Sequence, residues 1–112
     1  MGRGRGYTLN IPLRAETPRL EQRRTFDAAL EEISSRFKPD FVIISAGFDA
    51  HESDPLGQLL LEDEDFVQLT QAAKQWAETN CAGRLISCLE GGYNLHTLGQ
   101  TVRAHVEELG KQ

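Results

Sequence analysis

The sequence predicts an α/β fold built on a mostly parallel sheet, and three observations predict it. Two short apolar runs, FVIIS at 41–45 and RLISCL at 84–89, are rich in β-branched residues. Such runs are typical of parallel strands covered on both faces. Around them lie segments whose apolar residues recur at helical spacing. Strands and helices alternate along the chain, the order that a parallel sheet with right-handed crossovers requires.

Each element has its own justification. In YTLNIPL at 7–13, Leu9, Ile11 and Leu13 alternate with polar neighbours, which predicts a half-buried strand with Pro12 at an edge or end. Phe26, Ala29, Leu30, Ile33 and Phe37 fall on one helical face, so a helix is expected over 19–37, ended by Pro39. After the strand at 41–45, residues 46–64 read as a long loop. It closes on four consecutive acids, Glu62 to Asp65, which suit the positive end of the next helix dipole. That helix carries Phe66, Leu69, Ala73, Trp76 and Ala77 and stops at Asn80 and Gly83. The strand at 84–89 leads into the turn EGGYN, and Leu95, Leu98, Val102 and Leu109 mark a last helix that Asn94 could cap. Trp76 belongs to the core stripe of its helix, and His96 and His105 are expected to be solvent-facing or half-buried.

A chain of 112 residues holds one domain. Three strands and three helices make a thin core, however, because two strands that need cover on both faces share only three helices. Residues 1–112 are therefore expected to form one partial α/β domain, completed by a homo-oligomer or by a complementing segment. Residues 1–38 hold 8 basic and 5 acidic side chains, and residues 39–112 hold 4 and 12. An acidic surface repels phosphate, which argues against direct nucleic-acid binding. No apolar run approaches the ~20 residues that span a bilayer, and no signal-like segment opens the sequence, so a cytoplasmic protein is expected. Cys81 and Cys88 are too few for a disulfide framework and are read as reduced.

In open α/β sheets, ligands bind beyond the carboxyl ends of the strands. Two loops leave there, SAGFDAHESDPLG from Ser45 and LEGGYNL from Leu89. Asp49, soon after its strand, suits a metal ligand or a general base, and it equally suits a loop cap that accepts from backbone N–H groups. Asp49 and His51 form an Asp-x-His pair, yet no third zinc ligand lies nearby in the sequence. Gly91 and Gly92 allow a tight reversal against a ligand. Tyr93 would then stand on the rim, its phenol able to donate to a developing oxyanion, or pack on the last helix as an ordinary turn residue.

These motifs together carry a family likeness. SAGFDAHESDPLGQLLL followed by CLEGGYNL, with GRGRGYTLNIPL upstream, resembles the histone deacetylase superfamily, which includes acetylpolyamine amidohydrolases. The resemblance runs from about Gly2 to Leu109. It implies a three-layer α-β-α domain of the arginase/deacetylase type and a zinc-dependent hydrolase of acetylated amines, of the acetyl-lysine or acetylpolyamine kind. By motif, Asp49 matches the third zinc ligand and Tyr93 the tyrosine that polarises the substrate carbonyl. Gly91 and Gly92 match the turn that shapes the acyl pocket. His51 matches a position that is commonly histidine without binding zinc.

The resemblance also marks what the chain does not carry. The family's first two zinc ligands and its general-base histidine pair belong upstream of these motifs, and the sequence has no His-His pair. The chain corresponds to the carboxyl-terminal part of the catalytic domain, with one zinc ligand of three. It is expected to bind no Zn2+ tightly and to be inactive alone. The alternative is a non-catalytic α/β module that binds a ligand or a partner.

Overall fold

A computed structural model describes residues 3, 5–48, 61–92 and 96–111. The elements run α1 (Arg19–Arg36), β1 (Val42–Ala46), α2 (Asp63–Cys81), β2 (Leu85–Leu89) and α3 (Leu98–Gly110). β1 and β2 pair in parallel, with Val42 opposite Leu85 and Ala46 opposite Leu89. Helix α2 is thus the crossover of a βαβ unit, and α3 packs beside it. The alternation of strands and helices read from the sequence is present, and so is the parallel pairing.

Local chemistry sets the boundaries. The Glu62 N–H donates to the Asp65 carboxylate at 2.8 Å, so an N3 side chain satisfies a donor at the start of α2. Asp63, Glu64 and Asp65 fill its first turn, where the helix dipole favours negative charge. At its other end Ala82 adopts a left-handed conformation, and the Gly83 N–H donates back to the Ala77 carbonyl at 3.0 Å. In α1 the Phe37 N–H still donates to the Ile33 carbonyl, and Pro39 prevents continuation. Thr97 stands at the N-cap of α3; the cap expected at Asn94 lies outside the described residues.

Tertiary hydrogen bonds join the helices. The Trp76 indole N–H reaches the Leu30 carbonyl at 3.1 Å and Ser34 Oγ at 2.6 Å. Trp76 is therefore a half-buried tether from α2 to α1 rather than a purely apolar core residue. Arg19 donates to Asp65 at 2.5 Å and also pairs with Glu62, and Arg23 stands 3.6 Å from Asp65. Lys74 Nζ donates to the Glu108 and Lys111 carbonyls, both at 2.6 Å, which neutralises the carboxyl end of α3.

Two expectations are corrected. Residues 7–13 are not a strand: Leu9 is half-buried, while Ile11 and Leu13 are exposed. Among the described residues the sheet has two strands, and no neighbour pairs with this segment. Alternation alone does not make a strand without a ladder partner, and Pro12 brings no N–H to one. Nor are the two apolar runs covered on both faces. Val42, Ile44 and Ala46 face inward, whereas Phe41, Ile43 and Ile86 are exposed. The helices supply one layer of cover. Cys81 is buried and Cys88 exposed, and neither is in a disulfide.

Candidate functional site

The core that carries the site is Ala46, Phe48, Leu61 and Phe66, with Ile44, Leu69, Leu98 and Val102 packed against it. Phe48 is 4% exposed and stands two residues past the end of β1. Its ring lies 5.2 Å from that of Phe66 and 5.5 Å, edge to face, from the His105 imidazole.

The parallel ladder continues past both strands. The Glu90 N–H donates to the Ala46 carbonyl at 2.8 Å, and the Phe48 N–H donates to the Gly91 carbonyl at 2.8 Å. The two motif loops therefore leave one rim, at the carboxyl ends of adjacent strands, with their roots hydrogen-bonded to each other. This is where an open α/β sheet places its ligand.

The two glycines of the turn differ. Gly92 has φ +142°, and a Cβ there would lie 2.5 Å from Leu98 Cδ1 and 3.3 Å from the Phe48 Cβ. The positive φ favours glycine, and a side chain there would also have to displace the Leu98 methyl and crowd the Phe48 Cβ. Gly91 contributes its carbonyl as the acceptor of the root hydrogen bond; positive φ belongs to Gly92 and not to Gly91.

Asp49, His51 and Tyr93 lie outside the described residues. Phe48 and Gly92, the residues before Asp49 and Tyr93 in the chain, are the buried root and the close-packed turn just described. Among the described residues no three His, Cys, Asp or Glu side chains lie together as a metal site. The described part of the chain does not by itself fit a zinc ion.

His105 is more than the sequence reading allowed. It is 7% exposed rather than solvent-facing or half-buried. Its Nδ1 is 2.7 Å from Thr70 Oγ1 on α2, and its Nε2 is 2.8 Å from Ser87 Oγ on β2. Burial pushes the imidazole below the ordinary histidine pKa. The helical phase carried the signal: His105 falls three residues after Val102 and four before Leu109, on the inward stripe of α3. His96, by contrast, is exposed.

With this geometry in hand, the family is plain. The family model for the histone deacetylase domain matches residues 1–109. The chain belongs to the histone deacetylase family. It is 40% identical over 101 residues to "Histone deacetylase 14, chloroplastic" of Arabidopsis thaliana, covering 90% of this chain and 24% of that protein. It is 40% identical over 94 residues to a "Probable deacetylase" of Archaeoglobus fulgidus, covering 84% of this chain and 26% of that one. The crystal structure of the HDA15 HD domain superposes with a TM-score of 0.85 at 34% identity, covering 99% of this chain and 31% of that domain. An acetylpolyamine aminohydrolase from Burkholderia pseudomallei superposes at 0.79 with 26% identity, covering 98% and 30%. The fold is thus the deacetylase α/β fold in part: the chain spans about a quarter to a third of the length of these relatives. No helix of the described residues is long and apolar enough to cross a membrane.

Proposed function

We propose that this chain supplies the acyl-pocket side of a zinc-dependent deacetylase site acting on acetylated amines, acetyl-lysine or acetylpolyamine in kind. The observation that carries the reading is the hydrogen-bonded root at Phe48 and Gly91. It joins Phe48 to Gly91, the points from which the loops of the two motifs leave adjacent strand ends, and family membership supports reading those motifs as deacetylase site motifs. In this reading Asp49 is one of three protein ligands for Zn2+, and the others come from outside this sequence. Bound zinc would supply Lewis acidity toward an amide carbonyl. In this reading the Tyr93 phenol donates a hydrogen bond to the oxyanion that forms on that carbonyl. Gly91 and Gly92 let backbone, rather than side chain, line the pocket.

The chain alone does not hydrolyse acetyl-lysine in this reading, because one carboxylate cannot hold zinc in a catalytic geometry. It also self-associates, since Ile43 and Ile86 stand uncovered on the open face of the sheet.

The test is a chimera in which residues 1–109 replace the matching segment of a family deacetylase. The chimera should deacetylate a fluorogenic acetyl-lysine substrate. Tyr93→Phe in it should cut turnover by about 10²–10³, the usual loss for one oxyanion donor, with zinc content intact. Asp49→Ala should lose the zinc, measured by elemental analysis after dialysis. Full turnover in the phenylalanine variant would refute the tyrosine's role, and full zinc content in the alanine variant would refute the ligand.

A further inference from the structure

The buried polar chain through His105 has a readable direction. The Thr70 hydroxyl donates to the Phe66 carbonyl at 2.7 Å. A carbonyl only accepts, so the one hydroxyl proton of Thr70 is spent there. Thr70 Oγ1, 2.7 Å from Nδ1, must then accept from an Nδ1–H. Nε2 of the neutral ring is left as an acceptor, and the Ser87 hydroxyl at 2.8 Å is its donor. Every polar atom of the ring is satisfied, and the imidazole is fixed in plane by α2 on one side and β2 on the other.

That fixed ring packs at a steep angle against Phe48, centroids 5.5 Å apart. Phe48 is in turn the residue whose N–H holds Gly91 and whose Cβ lies against Gly92. We propose that His105 is a positioning residue: locked as the Nδ1–H tautomer between Thr70 and Ser87, it fixes Phe48 and thereby the common root of the two site loops. The proposal rests on the reading of those loops as the deacetylase rim, but its geometry is independent of zinc.

Among the described residues, the groups that touch the ring are neutral. They are Thr70 from α2, Ser87 from β2 and Phe48 beyond β1. On α3 itself the next buried carboxylate, Glu108, is ion-paired to Lys111 at 3.3 Å. A proton on Nε2 would thus place a cation beside two hydroxyls and an aromatic ring, with no carboxylate among the described residues that touch it, which burial disfavours. Acid therefore acts on this brace from below the ordinary histidine range.

The experiment is nuclear magnetic resonance on the full chain. Long-range proton–nitrogen correlation should show His105 with Nδ1 protonated and Nε2 bare. As the pH falls, the Phe48 and Gly91 amide signals should move with the same midpoint as the His105 ring. The Trp76 indole N–H, bonded to α1, should not follow; movement of all signals together would mean general unfolding and would overturn the proposal. Nε2–H as the neutral tautomer, or amide signals indifferent to His105, would overturn it as well.

Two variants in the chimera extend the test to the site. Thr70→Val removes the acceptor and should lower turnover by about 10–100-fold, the scale of a small misplacement of catalytic groups. Thr70→Ser keeps the hydroxyl and should restore turnover. Unchanged turnover in the valine variant would overturn the role. The spectroscopic readouts need neither metal nor substrate, so a failure of the Tyr93 or Asp49 assignment leaves them standing, and their failure leaves those assignments untouched.

Discussion

On one face of the β1–β2 sheet, Ile44 and Ala46 pack among Phe48, Leu61 and Phe66. On the other, Ile43 and Ile86 sit opposite each other in the ladder and are 69% and 50% exposed. Both faces are built from the same strand-forming residues, so strand propensity does not distinguish them. What differs is the cover: α2 and α3 both pack on one side. Parallel strands are ordinarily covered on both faces, and a two-stranded sheet is marginal by itself. The covered face therefore carries the stability of the chain, and the open face carries its capacity to be joined. The site rim belongs to the covered side, through Phe48 and Gly92.

The sharpest test of that division is a pair of truncations. Phe48→Ala should cost about 3–5 kcal/mol, the range for removing a buried aromatic side chain. Ile43→Ala should stay within about 0.5 kcal/mol, as surface substitutions do. Urea unfolding at low protein concentration measures both. Equal costs would break the comparison, because they would mean that the open face also contributes to the folded chain.

What the sequence disclosed follows the same division. Helix periods, parallel strands and the two rim motifs were legible because local pattern determines them. The FVIIS run predicted cover on both faces, and here the sequence could not say how much cover the chain itself provides. The strand expected at Leu9, Ile11 and Leu13 failed for a related reason. A strand is a paired object, and alternation describes only one member of the pair. At the site, the paired glycines predict a tight turn, and of the two Gly92 alone takes the positive φ. A histidine on a helix is ordinarily a surface residue, so sequence alone points His105 to solvent or half-burial rather than to the core. Only its phase against Val102 and Leu109, together with the hydroxyls of Thr70 and Ser87 that meet it across the core, distinguishes it.

The cover on the closed face depends on α2, and α2 is held to α1 at its amino end by Asp65, which is 0% exposed. Burial, the largest single influence, pushes its carboxyl pKa up. The Arg19 hydrogen bond, the Glu62 N–H and the charges of Arg19 and Arg23 together outweigh it, so the group titrates below its ordinary value. In the unfolded chain the same carboxyl takes up a proton at higher pH. The stabilisation is thus complete above the unfolded carboxylate value and fades as the pH falls toward and through the folded one. Asp65→Asn should cost about 1–3 kcal/mol near neutral pH, the cost of stripping a partner from a buried hydrogen-bonded group. The variant's stability should also fall less steeply in acid. Parallel acid limbs in urea titrations of the two proteins would rule Asp65 out as the source.

The smallest effect on folding should be the largest on assembly. The open face is apolar at its centre, with Ile43 and Ile86 paired and Ser45 opposite Cys88. At its two ends the alternation along β2 places exposed Arg84 and exposed Glu90. A two-fold axis lying in that face, across the strands, would set the strands of two copies antiparallel. Arg84 of each copy would then oppose Glu90 of the other, and the apolar centres would meet. Such a contact is closed and symmetric, the common form of a homo-oligomer, and it removes an exposed apolar patch from water. Light scattering over a range of concentrations should show wild-type protein approaching a dimer. Ile43→Asp puts a charge at the centre of the contact and should leave a monomer whose unfolding free energy changes by no more than about 0.5 kcal/mol. A wild-type chain that stays monomeric at every concentration, or an aspartate variant that still associates, would move the junction away from this face.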